Sequence, residues 1–287
     1  MKSAPKKAVV IKKASRFVPA EVVIETIMVG IGLFEAAIFA LGGLAARLPV
    51  ATLAVGIIYF LLPYNLLTAG FALPGRFLHV ATWQRNLAII VLNVPFIMYL
   101  GLQGSLAANG LLVVLIVLGL LMNVPKIGLR NIPGLDVISL SLFLAGPFVY
   151  GAVLSGAEGL WWLPAWLSML MVVAANYLMY KLPMIGFDRQ VHYDGIDVRL
   201  GLEYSLVVAM GLYMAAALLP TIAYGWTGVP ATVLLLWYVV VAFQALPFRL
   251  IAGAAGLYRV WRAIWWLNYP VGALLAVYAA VLIARTT

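Results

Sequence analysis

A chain of 287 residues in which 66% are hydrophobic and 9% charged has too little polar surface to coat a water-soluble core of its size. Its charges sit in short islands between apolar runs of roughly 20 residues, the length that crosses a bilayer as a helix, so the chain reads as an all-α, polytopic membrane protein. The net charge of +9 is spread over many short loops, which argues against a nucleic-acid partner, and the absence of cysteine excludes disulfides, thiolate metal sites and cysteine nucleophiles.

Residues 1–18 form a basic tail with Lys2, Lys6, Lys7, Lys12, Lys13 and Arg16. The tail resembles the charged start of a signal peptide, but the apolar run behind it, about 22–43, is long enough to span a bilayer and reads as an uncleaved first transmembrane helix. Glu21 and Glu25, one turn apart at its start, suit the positive end of the helix dipole. Glu35 falls mid-span, where an ionised carboxylate costs at least ~2.5 kcal/mol. It must face the bundle interior or be protonated, with Asn93, Asn176 or Gln244 as its expected hydrogen-bonding neighbours.

Further spans are expected near 49–72, 86–104, 108–123, 135–154, 160–182, 201–219, 229–246 and 263–284, nine in all, within a single domain over 19–287. Pro63, Pro95, Pro147 and Pro270 lie within spans and should kink them. Gly30, Gly32, Gly42, Gly43, Gly211, Gly253 and Gly256 should let helices approach closely. Trp161, Trp162 and Trp166 are expected at an outer membrane boundary, and Trp261, Trp265 and Trp266 at an inner one. With a cytoplasmic N-terminus and nine spans, sixteen of the eighteen Lys and Arg fall on one side and only Arg47 and Arg285 opposite. That bias is the one the positive-inside rule produces. The expected location is a multi-pass place in a prokaryotic inner membrane, with membrane lipids as partners.

Three loops on the basic side carry distinctive sequence. "LPYNLLTAGFAL", "PKIGLRNIPGLDVISLSLFLAGPFVYG" and "LPMIGFDRQVHYDGIDVRLG" together resemble the UbiA superfamily of intramembrane prenyltransferases, most closely its lycopene-elongase, carotenoid branch. The resemblance implies nine helices around a cavity open to the cytoplasmic side and to lipid. It also implies an Asn-Asp pair after "PYNL", with further aspartates four and eight residues on from the Asn, to hold the Mg²⁺ that neutralises a leaving diphosphate. This chain departs from that pattern. The corresponding positions read Ala72, Leu73, Arg76 and Val80, and an arginine repels a metal ion where an aspartate would bind it.

In the loop after the sixth span the same register gives Pro183, Met184, Gly186, Asp188 and Arg189, so one carboxylate of three remains. Asp194 and Asp197 lie downstream, out of phase. They either bend back as substitute metal ligands or pair with Arg189 or Arg199 as solvated loop residues. The loop after the fourth span keeps the branch pattern, which places Arg130, with Lys126 nearby, where a cation grips diphosphate; both equally serve to set topology. Tyr64 and Asn65 keep the family's entry to the first loop and, with Glu35, are polar candidates for the cavity.

The only histidines, His79 and His192, fall in loops, which speaks against histidine-ligated haem or chlorophyll in the bilayer. No Ser-His-Asp grouping, glycine-rich phosphate loop or His-Glu-x-x-His pattern is present.

The expected function is non-catalytic. The chain would bind an isoprenoid, carotenoid or lipid in an inherited cavity, or act as a subunit of a larger membrane complex, without a cofactor. Two alternatives stay open. One is a prenyltransferase of the lycopene-elongase kind, moving a prenyl group from its diphosphate to an apolar acceptor, with Mg²⁺ on Asp188, Asp194 and Asp197. The other is a small-molecule carrier that uses Glu35 as a coupling carboxylate.

Overall fold

The structure, a computed structural model, describes residues 20–45, 47–69, 82–123, 128–129, 132–157, 159–185, 195–247 and 254–286. Among these residues every regular element is helical. Ten α-helices follow one another: α1 Ala20–Ala45, α2 Val50–Leu61, α3 Pro63–Ala69, α4 Thr82–Gln103, α5 Leu106–Asn123, α6 Leu135–Leu154, α7 Leu163–Lys181, α8 Ile196–Tyr224, α9 Val229–Phe243 and α10 Ala254–Thr286. Short 3₁₀ turns at Leu182–Met184 and Gly225–Gly228 extend α7 and join α8 to α9.

Five stretches are long and apolar enough to cross a membrane: Val50–Thr68, Asn86–Gln103, Leu135–Leu154, Leu163–Met184 and Ile196–Phe243. Shorter apolar helices cover Ile31–Leu44 and Leu106–Met122. The outward faces carry side chains that water would penalise. Trp83, Ile90, Val91 and Met98 on α4, Val113 and Val117 on α5, and Val207 and Ile222 on α8 are all exposed. Exposed apolar surface on this scale suits a hydrocarbon solvent; this is an integral membrane protein.

The helices close into a ring, in which each packs on its neighbours in sequence and α10 returns to α1. Two cores fill it. One gathers Phe39, Tyr59, Phe60, Tyr64, Leu115, Phe143 and Tyr150 from α1 to α6; the other gathers Leu178, Met179, Leu206, Tyr213, Tyr238 and Ile264 from α7 to α10. The seam between α1 and α6 depends on missing side chains. A Cβ at Gly42 would strike the Phe148 carbonyl, and one at Gly151 would lie 2.7 Å from Phe39 O and 2.8 Å from Gly43 N. Close approach of this kind is how membrane helices gain van der Waals contact when lipid offers no hydrophobic drive.

Pro63 interrupts the second span as expected. The helix breaks at Leu62, whose φ of −139° and ψ of −58° are non-helical, and α3 restarts with Pro63 in its first position, where the missing N–H loses nothing. The seventh span holds a break as well. Gly201 has φ 73° and ψ 175° inside α8, a left-handed conformation that glycine adopts without strain, so the first turn of α8 is set at an angle to the apolar run behind it.

Trp162 is buried against Ile38, Leu41, Phe148 and Ala152, and Trp166 donates its indole N–H to Ala145 O at 3.2 Å; both pack between helices at the α6–α7 end, and of the three tryptophans there Trp161 is the exposed one. One expectation is corrected. Gly211 faces open space, with nothing within 4 Å of a Cβ built on it, so it brings no helix close. Gly253, the surroundings of Gly30 and the side chains of Glu21 and Glu25 lie outside what the structure describes.

Candidate functional site

Glu35 sits on the inward face of α1, fully buried. Its partner is none of the three expected polar side chains. Asn65 Nδ2, on α3 just past the Leu62 break, donates to Glu35 Oε2 at 2.6 Å and to Phe60 O at 3.1 Å. Helix breakage explains the second bond: the interruption at Leu62 leaves carbonyls of the last turn of α2 without helical donors, and the amide of Asn65 reaches one of them. Asn93 Nδ2 instead donates to Ile89 O at 2.9 Å, one turn back on its own helix. Asn176 bonds within the other half of the bundle, and Gln244 lines a cavity of about 430 Å³ at the α9–α10 turn with Pro247, Gly256, Arg259 and Val260.

Around the Glu35–Asn65 contact stands a wall of rings. Phe39, one turn on from Glu35, lies 5.1 Å from Phe60 and 6.0 Å from Tyr150 between centroids. Tyr64 is stacked 5.1 Å from Phe143 and donates its hydroxyl to Leu115 O at 3.2 Å. Tyr59 and Tyr150, which sequence reasoning did not single out, are also buried in this group. Their clue was latent: two tyrosines in apolar runs, each needing a partner for its hydroxyl.

At the ends of α6 to α8 a second polar group forms. Asp136, in the first turn of α6, accepts the backbone N–H of Gly134 and of Val137 with Oδ1, both at 2.9 Å, and the hydroxyl of Tyr177 with Oδ2 at 3.2 Å. Both oxygens are thus engaged in holding the helix start and its contact with α7. Lys181 closes α7 and is buried. Asp197 occupies the first turn of α8 and is fully buried, which corrects its reading as a solvated loop residue. The cause is the early start of α8 at Ile196, ahead of the apolar run, which carries Asp197 into the bundle.

The remaining loop residues, Lys126, Arg130, Asp188, Arg189 and Asp194, with His79, His192 and the first-loop positions Ala72, Leu73, Arg76 and Val80, lie outside the described residues. Mg²⁺ requires several oxygen donors around one point. Among the described residues no three of His, Asp or Glu come together to supply them. Glu35, Asp136 and Asp197 stand on three different helices, and both oxygens of Asp136 already hold hydrogen bonds. The described donors do not fit the ion.

No family model matches the chain. It is 23% identical over 244 residues to a lycopene elongase/hydratase of Corynebacterium glutamicum, covering 78% of this chain and 83% of that protein. Its fold superposes on a UbiA homologue from Archaeoglobus fulgidus with a TM-score of 0.65 at 15% identity, over 90% of this chain and 96% of the other. The same homologue bound to GPP and Mg²⁺ superposes with a TM-score of 0.60 at 13% identity, over 86% and 97%.

Proposed function

We propose that this chain is a protein of the UbiA superfamily, on its carotenoid side, that holds an apolar isoprenoid or carotenoid within the bundle and transfers no prenyl group. One observation carries the reading: where the superfamily pattern calls for carboxylates after the second span, the chain has Ala72, Leu73, Arg76 and Val80. Three apolar side chains and a guanidinium offer no oxygen to a divalent ion, and a prenyl diphosphate ionises only when its leaving charge is neutralised. The aromatic and aliphatic side chains of the first core, Phe39, Phe60, Phe143 and Leu115, suit a ligand held beside them by dispersion and burial rather than by charge.

The reading includes nine spans with the basic tail and loops on the cytoplasmic side of a prokaryotic inner membrane, and it leaves room for a role as a subunit of a larger assembly. Arg76 and its apolar neighbours Phe77 and Leu78 would then present a docking loop. Native mass spectrometry of gently extracted protein tests it: an isoprenoid or carotenoid is carried at a fixed ratio, and assays with dimethylallyl or geranyl diphosphate and Mg²⁺ release no diphosphate. Metal-dependent release above background overturns it.

A second reading, a working transferase of the lycopene-elongase kind, gains from the placement of Asp197. A fully buried carboxylate two residues past the loop that carries Asp188 and Asp194 is a better metal donor than a solvated one. On that reading Asp188→Asn and Asp197→Asn each abolish a measurable diphosphate release; no release to abolish disposes of it.

A further inference from the structure

Three buried polar atoms beside the Glu35–Asn65 contact have no hydrogen-bond partner: Glu35 Oε1, Tyr59 OH and Tyr150 OH. They come from α1, α2 and α6, and Asn65 bridges the first two by donating to Glu35 Oε2 at 2.6 Å and to Phe60 O at 3.1 Å. Phe60 ties the group together, with its ring centroid 5.2 Å from that of Tyr59 and 5.9 Å from that of Tyr150. Their immediate neighbours are satisfied. Tyr64 donates to Leu115, Asn65 donates twice, and Thr68 Oγ1 donates to Tyr64 O at 3.0 Å. Other buried atoms without a partner, Asn93 Oδ1, Asn109 Oδ1, Ser168 Oγ and Ser205 Oγ among them, lie elsewhere in the bundle, whereas here three come from helices that share the Phe39–Phe60–Tyr150 ring cluster.

Hydrocarbon offers a buried polar atom no alternative partner, so such atoms in membrane bundles are bonded within the protein or to an ordered guest. A carboxyl oxygen and two hydroxyls form the complement of a group that both donates and accepts. We propose that Glu35, Tyr59 and Tyr150 form an intramembrane site for a single hydroxyl group, supplied either by an internal water or by the alcohol end of an isoprenoid. A buried water makes about three hydrogen bonds, one for each open atom. The alcohol source rests on the isoprenoid-binding reading above; the water source does not.

Thermal midpoints of the full chain in detergent decide it, measured for Tyr59→Phe, Tyr150→Phe, Glu35→Gln and the double tyrosine variant. With a guest present, each tyrosine change removes a bond to it and lowers the midpoint by roughly 2–4 °C. The double variant then loses less than the sum, because both hydroxyls share one guest. If both Tyr→Phe variants keep or raise the midpoint, the sign expected for removing a hydroxyl that bonds to nothing, the site is overturned.

The source follows from two added probes, a twenty-carbon prenyl alcohol and a hydrocarbon of equal length. Stabilisation of the unmodified chain by the alcohol alone, lost in Tyr59→Phe, assigns the alcohol. Equal stabilisation by both, with the tyrosine penalties intact, assigns water. If neither probe shifts the midpoint the isoprenoid-binding reading fails, while intact tyrosine penalties still establish the site.

Discussion

In the half of the bundle built from α7 to α10, Tyr213 donates to Asn176 Oδ1 at 2.7 Å, Asn176 Nδ2 to Asn268 Oδ1 at 3.1 Å, and Tyr238 to the same oxygen at 2.7 Å. In the half built from α1 to α6, Glu35, Tyr59 and Tyr150 each keep a buried atom without a partner. Both centres combine tyrosines with a carboxyl or amide group in an apolar surround, and the asparagines of the first are half-buried where Glu35 is fully buried. The first is a closed chain over four helices, stiffened by the 5.4 Å stacking of Tyr213 on Tyr238, and it reads as a clamp. The second has capacity left over. A fold that saturates one polar centre and leaves its counterpart open separates holding from binding.

The comparison breaks most easily at Asn268. Asn268→Leu takes away the acceptor of both Tyr238 and Asn176. Two orphaned buried groups should lower stability by about 2–4 kcal/mol, read as a shifted denaturation midpoint in mixed micelles. A loss below a few tenths would mean that the four side chains are not a clamp, and the contrast between the halves would lapse.

The first half is held differently, by backbone contact. Gly42→Ala places a methyl against the Phe148 carbonyl, and overpacking of that kind costs about 1–3 kcal/mol. The same variant should leave the α7–α10 network intact, so hydrogen exchange should rise along α1 and α6 and stay unchanged around Tyr213. A uniform rise would show that the halves do not behave as separate units.

How far these features were legible in the sequence follows their range along the chain. Lengths of helices are local and follow from the apolar runs, and Pro63 marks the first interruption by its own backbone limit; the break at Gly201 is one that glycine permits without demanding, so nothing in the sequence announces it. Polar pairing is not local. Glu35 meets Asn65, 30 positions away, because of how α1 and α3 are rotated about their axes, and a run that is apolar on all sides carries no periodicity to reveal that rotation. Three asparagines or glutamines look equally suitable as the partner of Glu35, and Asn65, although grouped with it as a polar candidate for the cavity, carries no sign that the two touch. The inward packing of Trp162 and Trp166 is hidden for a similar reason: a tryptophan at a helix start can fill the gap beside small residues such as Ala145 and Ala152, a contact that depends on which helices meet.

Between the halves lies the α6–α7 contact, where Tyr177 donates to Asp136. Tyr177→Phe should cost about 0.5–1.5 kcal/mol, the value of one ordinary hydrogen bond, because Asp136 retains the N–H groups of Gly134 and Val137 on its other oxygen. A much larger loss would reveal that Asp136 supports more than a helix start. Scanning the variant by hydrogen exchange tells the cases apart, since a local effect stays within the first turn of α6.

The smallest effect expected has the opposite sign. Gly211→Ala adds a methyl where nothing lies within 4 Å, in the interior of α8, so steric cost is absent and backbone entropy decides. Glycine in a helix interior is less favourable than alanine by roughly 0.5–1 kcal/mol, and the variant should gain up to that amount in a lipid-free detergent. Set beside Gly42→Ala, the pair isolates one cause: the same chemical change in two apolar helices destabilises where a backbone must pass and stabilises where only lipid lies. Should Gly211→Ala instead weaken the protein in native membranes but not in detergent, a second chain presses on α8 there, and the open face of that helix is an interface.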